Sequence, residues 1–170
     1  MKLVAFKYNK DSIVSCGFIK EGAIIDIGNH PNPVNIDVQS GKLINLENIQ
    51  FKKISIDEVS LLSPILNPKS LRDAYAFRQH VEAGRKSRGL DMIPEYDRFP
   101  VFYYGNHNAI AGPGEVQIQK DQSIKLDYEL EVAAIIGEKG KNISVDNADD
   151  YIMGYTIMND LSARALQKEE

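Results

Sequence analysis

Leu126-Asp127-Tyr128-Glu129-Leu130-Glu131-Val132-Ala133-Ala134-Ile135-Ile136 is the stretch that decides the fold class of this chain. On a β-strand, successive side chains point to opposite faces. The even positions Leu126, Tyr128, Leu130, Val132, Ala134 and Ile136 then form an unbroken apolar face. The odd positions place Asp127, Glu129 and Glu131 on the other face, followed by Ala133 and Ile135. The far end is apolar on both sides, which predicts burial there. Glu129 and Glu131 would stand about 7 Å apart at their roots. At an effective dielectric of about 20, two charges at that spacing repel by roughly 2 kcal/mol. A partly buried pair therefore needs a shared proton, a nearby Arg or Lys, or a divalent cation. Two such carboxylates suit a hard, oxygen-seeking ion such as Mg2+ or Ca2+. A solvated strand face fits the same residues equally well.

Strand patterns continue around this segment, over residues 100–104, 116–119, 124–136 and 151–158. The last of these runs into Met158-Asn159-Asp160. Residues 161–167 have helical character, so Asp160 is either a helix cap or an acid aimed into a site. Upstream, residues 70–88 read as a helix with an interrupted stripe of Leu71, Ala74, Tyr75, Val81 and Ala83, stopped at Gly89. If the helix is continuous, Asp73 and His80 share one face, about 10 Å apart along the axis. That spacing suits an acid on a metal and a base near the metal's ligand. It equally suits a helix cap and a structural histidine.

The amino-terminal third reads as a β-meander over residues 3–8, 12–19 and 23–27, with turns at 9–11 and 20–22. A loop is expected at 29–33. Residues 35–60 are weakly patterned, with candidate short helices at 41–47 and 56–59. Pro64 and Pro68 break any helix across 61–68 and mark a boundary. The expected domains are residues 1–66, small and β-rich, and residues 67–170.

Composition narrows the function classes. The 170 residues are 43% hydrophobic and 26% charged, a folded rather than disordered mixture. A net charge of −4 disfavours binding to nucleic acid or an acidic membrane surface. No apolar run approaches the ~18 residues that cross a bilayer, and the first residues lack the apolar core of a signal peptide. Gly112-Pro113-Gly114 is too short for a phosphate loop. Cys16, the one cysteine, cannot form an internal disulfide or a cysteine-based zinc site, which fits a reducing cytoplasm.

Four segments occur in a telling order: Asp73-x-Tyr75-x-x-Arg78-Gln79-His80, Pro100-Val101-Phe102-Tyr103, Leu126-Asp127-x-Glu129-x-Glu131, and Met158-Asn159-Asp160-x-Ser162-Ala163-Arg164. Together they resemble the signature segments of the fumarylacetoacetate hydrolase family. The resemblance runs from about residue 60 onward and is looser before it. It implies an α+β, mostly β chain, with a small N-terminal β domain followed by the first part of a mixed β-roll catalytic domain. Carried over by motif, Asp73, Glu129, Glu131 and Asp160 would bind Mg2+, Mn2+ or Ca2+. His80 would be the general base that activates water. Tyr75, Tyr103 and Gln167 would contact substrate. Arg78, Arg85 and Arg88 are candidates for a substrate carboxylate, with Arg85 the one adopted.

The activity implied is metal-dependent hydrolysis of C–C bonds in β-diketone or acylpyruvate-type 2-oxo acids. Decarboxylation, hydration or isomerisation of 2-oxo acids is the alternative within the family, and a non-catalytic metal-binding fragment is the alternative outside it. The resemblance also implies a homodimer in the complete protein, with small-molecule substrates and no nucleic-acid or membrane partner. Two departures stand out. Ala165 replaces a residue often polar in relatives, and Lys168-Glu169-Glu170 lacks an aromatic found after the glutamine. In the family an oxyanion-binding lysine, an acid orienting the histidine, and further strands lie beyond this point. Residues 1–170 are accordingly expected to be incomplete for activity.

Overall fold

The computed structural model describes residues 2–10, 13–28 and 51–168. The meander forms as its alternation dictates. Strands β1 (Lys2–Tyr8), β2 (Val14–Lys20) and β3 (Ala23–Gly28) pair antiparallel in sequence order. Two further strands, β4 (Lys52–Ser55) and β5 (Val59–Leu61), come from the weakly patterned stretch and close the sheet in the order β4-β3-β2-β1-β5. Between them, a single 3-10 turn at Ile56–Glu58 carries a reciprocal cap, with the Ser55 hydroxyl and the Glu58 carboxylate each accepting a backbone N–H. Each of β4 and β5 is too short to show a period, so neither stands out in the sequence. The expected helix at 41–47, the loop at 29–33 and part of the first turn lie outside the described residues.

Both faces of this sheet hold buried groups. Phe6, Ile24, Ile54 and Val59 are buried together, backed by Val4, Tyr8, Ile19 and Leu61. Cys16 and Ile27 form a second buried group against Phe18. Burying a Phe or Ile side chain contributes roughly 1.5–3 kcal/mol each. At the sheet's margin the Tyr8 hydroxyl donates to Asp26 Oδ2 at 2.6 Å, and Lys52 Nζ sits 4.7 Å from the Tyr8 ring centroid.

The expected helix over residues 70–88 is half strand. β6 (Leu71–Ala74) pairs antiparallel with β7 (Phe102–Gly105), and α1 begins only at Arg78, running Arg78–Lys86. Ladder partners outweigh helical propensity here. Asp73 lies opposite Tyr103, Arg72 opposite Tyr104, and the Tyr75 N–H donates to the Val101 carbonyl at 3.1 Å. The strand ends at Ala74, the Ala76 N–H turns back to the Ala74 carbonyl, and helix starts only at Arg78. Arg72 adds its guanidinium to the rings of Phe102 and Tyr104, 5.7 and 5.3 Å from the centroids. Past the end of α1, Gly89 adopts φ +71°, a conformation that costs a residue with a Cβ.

β8 (Leu126–Ile136) and β9 (Ile152–Ala163) form a long antiparallel hairpin, from Leu126 opposite Ala163 to Ile136 opposite Ile152. The expected helix at 161–167 is absent: β9 continues to Ala163, and only a short 3-10 turn, Leu166–Lys168, follows. Asp160 is thus a mid-strand residue, not a cap. Residues 116–119 are irregular rather than a strand. The far end of β8 is not buried either, since Ile136 is 63% exposed. Among the described residues this sheet has two strands, so nothing extends the ladder on either side.

The chain is α+β and mostly β. Contacts group Met1–Leu66 with Gly112–Glu170 as one unit and Asn67–Ala111 as another. No helix among the described residues is long and apolar enough to cross a membrane.

Candidate active site

The β8–β9 ladder sets the acids. Glu129 lies directly opposite Asp160, and Glu131 lies opposite Met158. Residues opposite one another share a face, so Asp127, Glu129, Glu131 and Asp160 all project from the same side. Glu129, Glu131 and Asp160 are half-buried. Glu131 and Asp160 bring carboxylate oxygens within 4.8 Å of each other. Oxygens bound to one Mg2+, Mn2+ or Ca2+ at about 2.0–2.6 Å can be at most about 4–5 Å apart. Hard anionic oxygens at that separation fit a divalent cation.

Glu129 is differently engaged. Its Oε1 accepts a hydrogen bond from Arg164 Nη2, while Arg164 Nε donates to Asp127 Oδ2 at 3.1 Å. Arg164 Nη1 donates to Gln167 Oε1, also at 3.1 Å. The Arg164 guanidinium is held above its ordinary pKa, chiefly by the hydrogen bond to Glu129. Asp127 is held below the usual carboxylate range, first by the Tyr128 N–H and then by Arg164. Of the ways to offset repulsion on this face, a nearby arginine is thus realised at Glu129. Sequence reasoning assigned Arg164 no role. Its signal was the alternation itself: an arginine following the strand that faces three acids.

In the other unit, the Asp73 carboxylate accepts a 2.6 Å hydrogen bond from the Tyr103 hydroxyl, across the β6–β7 ladder. Asp73 and His80 do not share a helix face, because Asp73 is on β6 and His80 is in the first turn of α1. His80, Tyr75 and Arg85 do come together. With Val81, Gly84, Arg88 and Ile93 they line a pocket of about 230 Å3. Two arginines, a histidine and a tyrosine around an apolar floor suit a small anionic molecule. Tyr75 is fixed there through its backbone, whose carbonyl accepts from the Tyr96 hydroxyl at 2.7 Å. Arg78 is not in this pocket's lining. It pairs with Asp97 at 3.2 Å and Glu82 at 3.1 Å, and Asp97 raises its pKa most. Gln167 reaches Arg164 rather than this pocket.

Residues 69–170 match the family model described as the C-terminal domain of fumarylacetoacetate (FAA) hydrolase. The chain belongs to the fumarylacetoacetate hydrolase family. It is 30% identical over 162 residues to a fumarylacetoacetate hydrolase domain-containing protein 2 homolog of Dictyostelium discoideum, covering 89% of this chain and 50% of that one. It is 36% identical over 118 residues to oxaloacetate tautomerase YisK of Bacillus subtilis, covering 67% and 37%. Among solved structures, it resembles 5-carboxymethyl-2-hydroxymuconate delta-isomerase from Mycobacterium smegmatis, with a TM-score of 0.64 and 26% identity over 100% of this chain and 58% of that one. The chain thus spans 50% of the length of the first of these proteins, 37% of the second and 58% of the third.

Proposed function

We propose that this chain contributes the divalent-metal site and the base of an enzyme acting on small 2-oxo acids or β-diketones. The observation that carries the reading is the approach of Glu131 and Asp160 on a half-buried acidic face. By the family motif, Glu129 and Asp73 are the further proposed ligands, and Mg2+ or Mn2+ the proposed ions, with Ca2+ as the larger alternative. A cation held there supplies Lewis acidity to a substrate carbonyl oxygen. The chain's own groups do the rest. Arg85 or Arg88 would hold the substrate carboxylate, Tyr75 would orient it beside His80, and Tyr103 would steady Asp73 through its hydroxyl. Gln167 remains a proposed substrate contact. An imidazole is the side chain suited to taking a proton in general-base catalysis, and His80 supplies one in this pocket.

Two reactions use that base. In hydrolysis, His80 takes the proton of a water that attacks the carbonyl, the C–C bond breaks with its electron pair leaving as an enolate, and the enolate carbon takes up a proton. In tautomerisation or isomerisation, it takes a proton from carbon next to the carbonyl, a proton is returned to the oxygen or to another carbon of the enolate, and the skeleton stays whole. Hydrolysis follows from the match of Asp73 and His80 to the branch that activates water. The second reading is favoured by relatives described as a tautomerase and an isomerase. The division into residues 1–66 and 67–170 is proposed on the span of the family match. A homodimer and a cytoplasmic location are proposed with it.

Calorimetry tests the site first. Glu131→Gln with Asp160→Asn should abolish the Mg2+ or Mn2+ binding of the parent; unchanged affinity would place the site elsewhere. In the active protein, His80→Ala should lower kcat by about 10²-fold or more with metal affinity nearly intact. Product analysis in deuterated water separates the chemistries. Cleaved products mark a hydrolase, whereas deuterium next to the carbonyl of an intact skeleton marks a tautomerase.

A further inference from the structure

We propose that Arg164 competes with the divalent cation for Glu129, and so sets the affinity of the metal site. The inference rests on the metal-site reading above and concerns a residue that the reading does not use.

Arg164 is placed by the backbone. Its N–H donates to the Lys125 carbonyl at 3.1 Å, one step beyond the pairing of Leu126 with Ala163 at which β9 ends. Its guanidinium is then fixed from three directions, by Asp127, Glu129 and Gln167. The Arg164 and Glu129 side chains are each only 31% exposed, so water screens this pair less than an ordinary surface pair. Glu129 stands directly opposite Asp160 across the ladder, and Asp160 in turn approaches Glu131. One carboxylate therefore lies between two claims: a planar cation on one side and the acid pair on the other.

A carboxylate oxygen donated to a hard divalent ion gives up charge density to it. The same oxygen cannot keep a full charge-assisted bond to a guanidinium. Loading Glu129 onto the metal must weaken its bond to Arg164, and a firmly held Arg164 must weaken metal binding. In the absence of metal, Arg164 offsets part of the repulsion among four like charges. Arg164 is thus a positioning residue, acting on the metal through Glu129.

The test measures Mn2+ affinity by calorimetry and melting temperature with and without Mn2+, in the full chain. Arg164→Gln should bind Mn2+ about ten-fold more tightly than the parent. Its metal-free form should melt lower, and saturating Mn2+ should recover most of that loss, because ligand binding stabilises the folded state by mass action. A merely structural strut predicts otherwise: an equal drop in melting temperature with and without Mn2+, and unchanged or weaker binding. That result would overturn the proposal. Arg164→Lys keeps the charge but cannot reproduce the planar fork. It should tighten binding by about three-fold, and it carries the test if Arg164→Gln does not fold. Parent-like or weaker Mn2+ affinity in every variant that folds would overturn competition for Glu129. If neither parent nor variants bind Mn2+, the metal-site reading itself falls, and this inference with it.

Discussion

The N-terminal sheet and the β8–β9 hairpin follow the same alternation rule and arrive at opposite surfaces. In the first, apolar residues fill the buried positions, with Phe6 and Ile24 fully hidden and the lysines outside. In the second, the polarity is inverted. The apolar side is open, with Leu130 76% and Ile157 75% exposed, while Glu129, Glu131 and Asp160 on the reverse side are half-buried. Alternation tells which residues share a face. It does not tell which face is inside, because that depends on what packs against the strand. The half-buried acids make the hairpin chemically interesting, since charge withdrawn from water must be matched by a cation, a guanidinium or a proton.

The comparison can be broken from either end. Phe6→Ala should destabilise the N-terminal sheet by about 3–5 kcal/mol in denaturant unfolding, through lost transfer energy and the cavity left behind. Leu130→Ser, a change of similar character on the open face, should cost no more than about 0.5 kcal/mol in the same assay. If it costs several, that face is covered in solution and the contrast between the two regions disappears. The smallest effect is at Asp127. Its pKa is lowered in the folded state, so its contribution is present above the unfolded value of about 3.9 and is lost as pH falls through the lower folded value. Asp127→Asn should therefore be slightly less stable than the parent at neutral pH, and the difference should vanish as pH falls well below about 4. A difference that persists undiminished at low pH would show that Asp127 acts through something other than its own charge.

Much of the mostly β class was legible because β1–β3, β8 and β9 are long enough to display a period of two. β4 and β5 were not, being four and three residues long. The error over residues 70–88 has a different origin. Ala74, Tyr75 and Val81 do recur at helical spacing, but ladder partners at residues 101–105 are remote in sequence and claim the first half of the segment. At the site, the residue types and their order were legible, and so was the shared face of Glu129 and Glu131. Illegible were the opposition of Glu129 and Asp160, which depends on strand register, and the claim of Arg164 on Glu129, which depends on how the chain leaves β9.

Cys16 has a use unrelated to catalysis. It is the one thiol in the chain and lies fully buried in β2, within the better-packed of the two regions. A thiol reagent reaches it only when that sheet opens, since modification requires an accessible thiolate. The rate of alkylation at Cys16, followed by mass spectrometry without any engineered label, is therefore a clock for the opening of the N-terminal sheet. Read alongside metal titration, that clock would report whether events on the acidic hairpin are felt in a sheet that shares none of its strands.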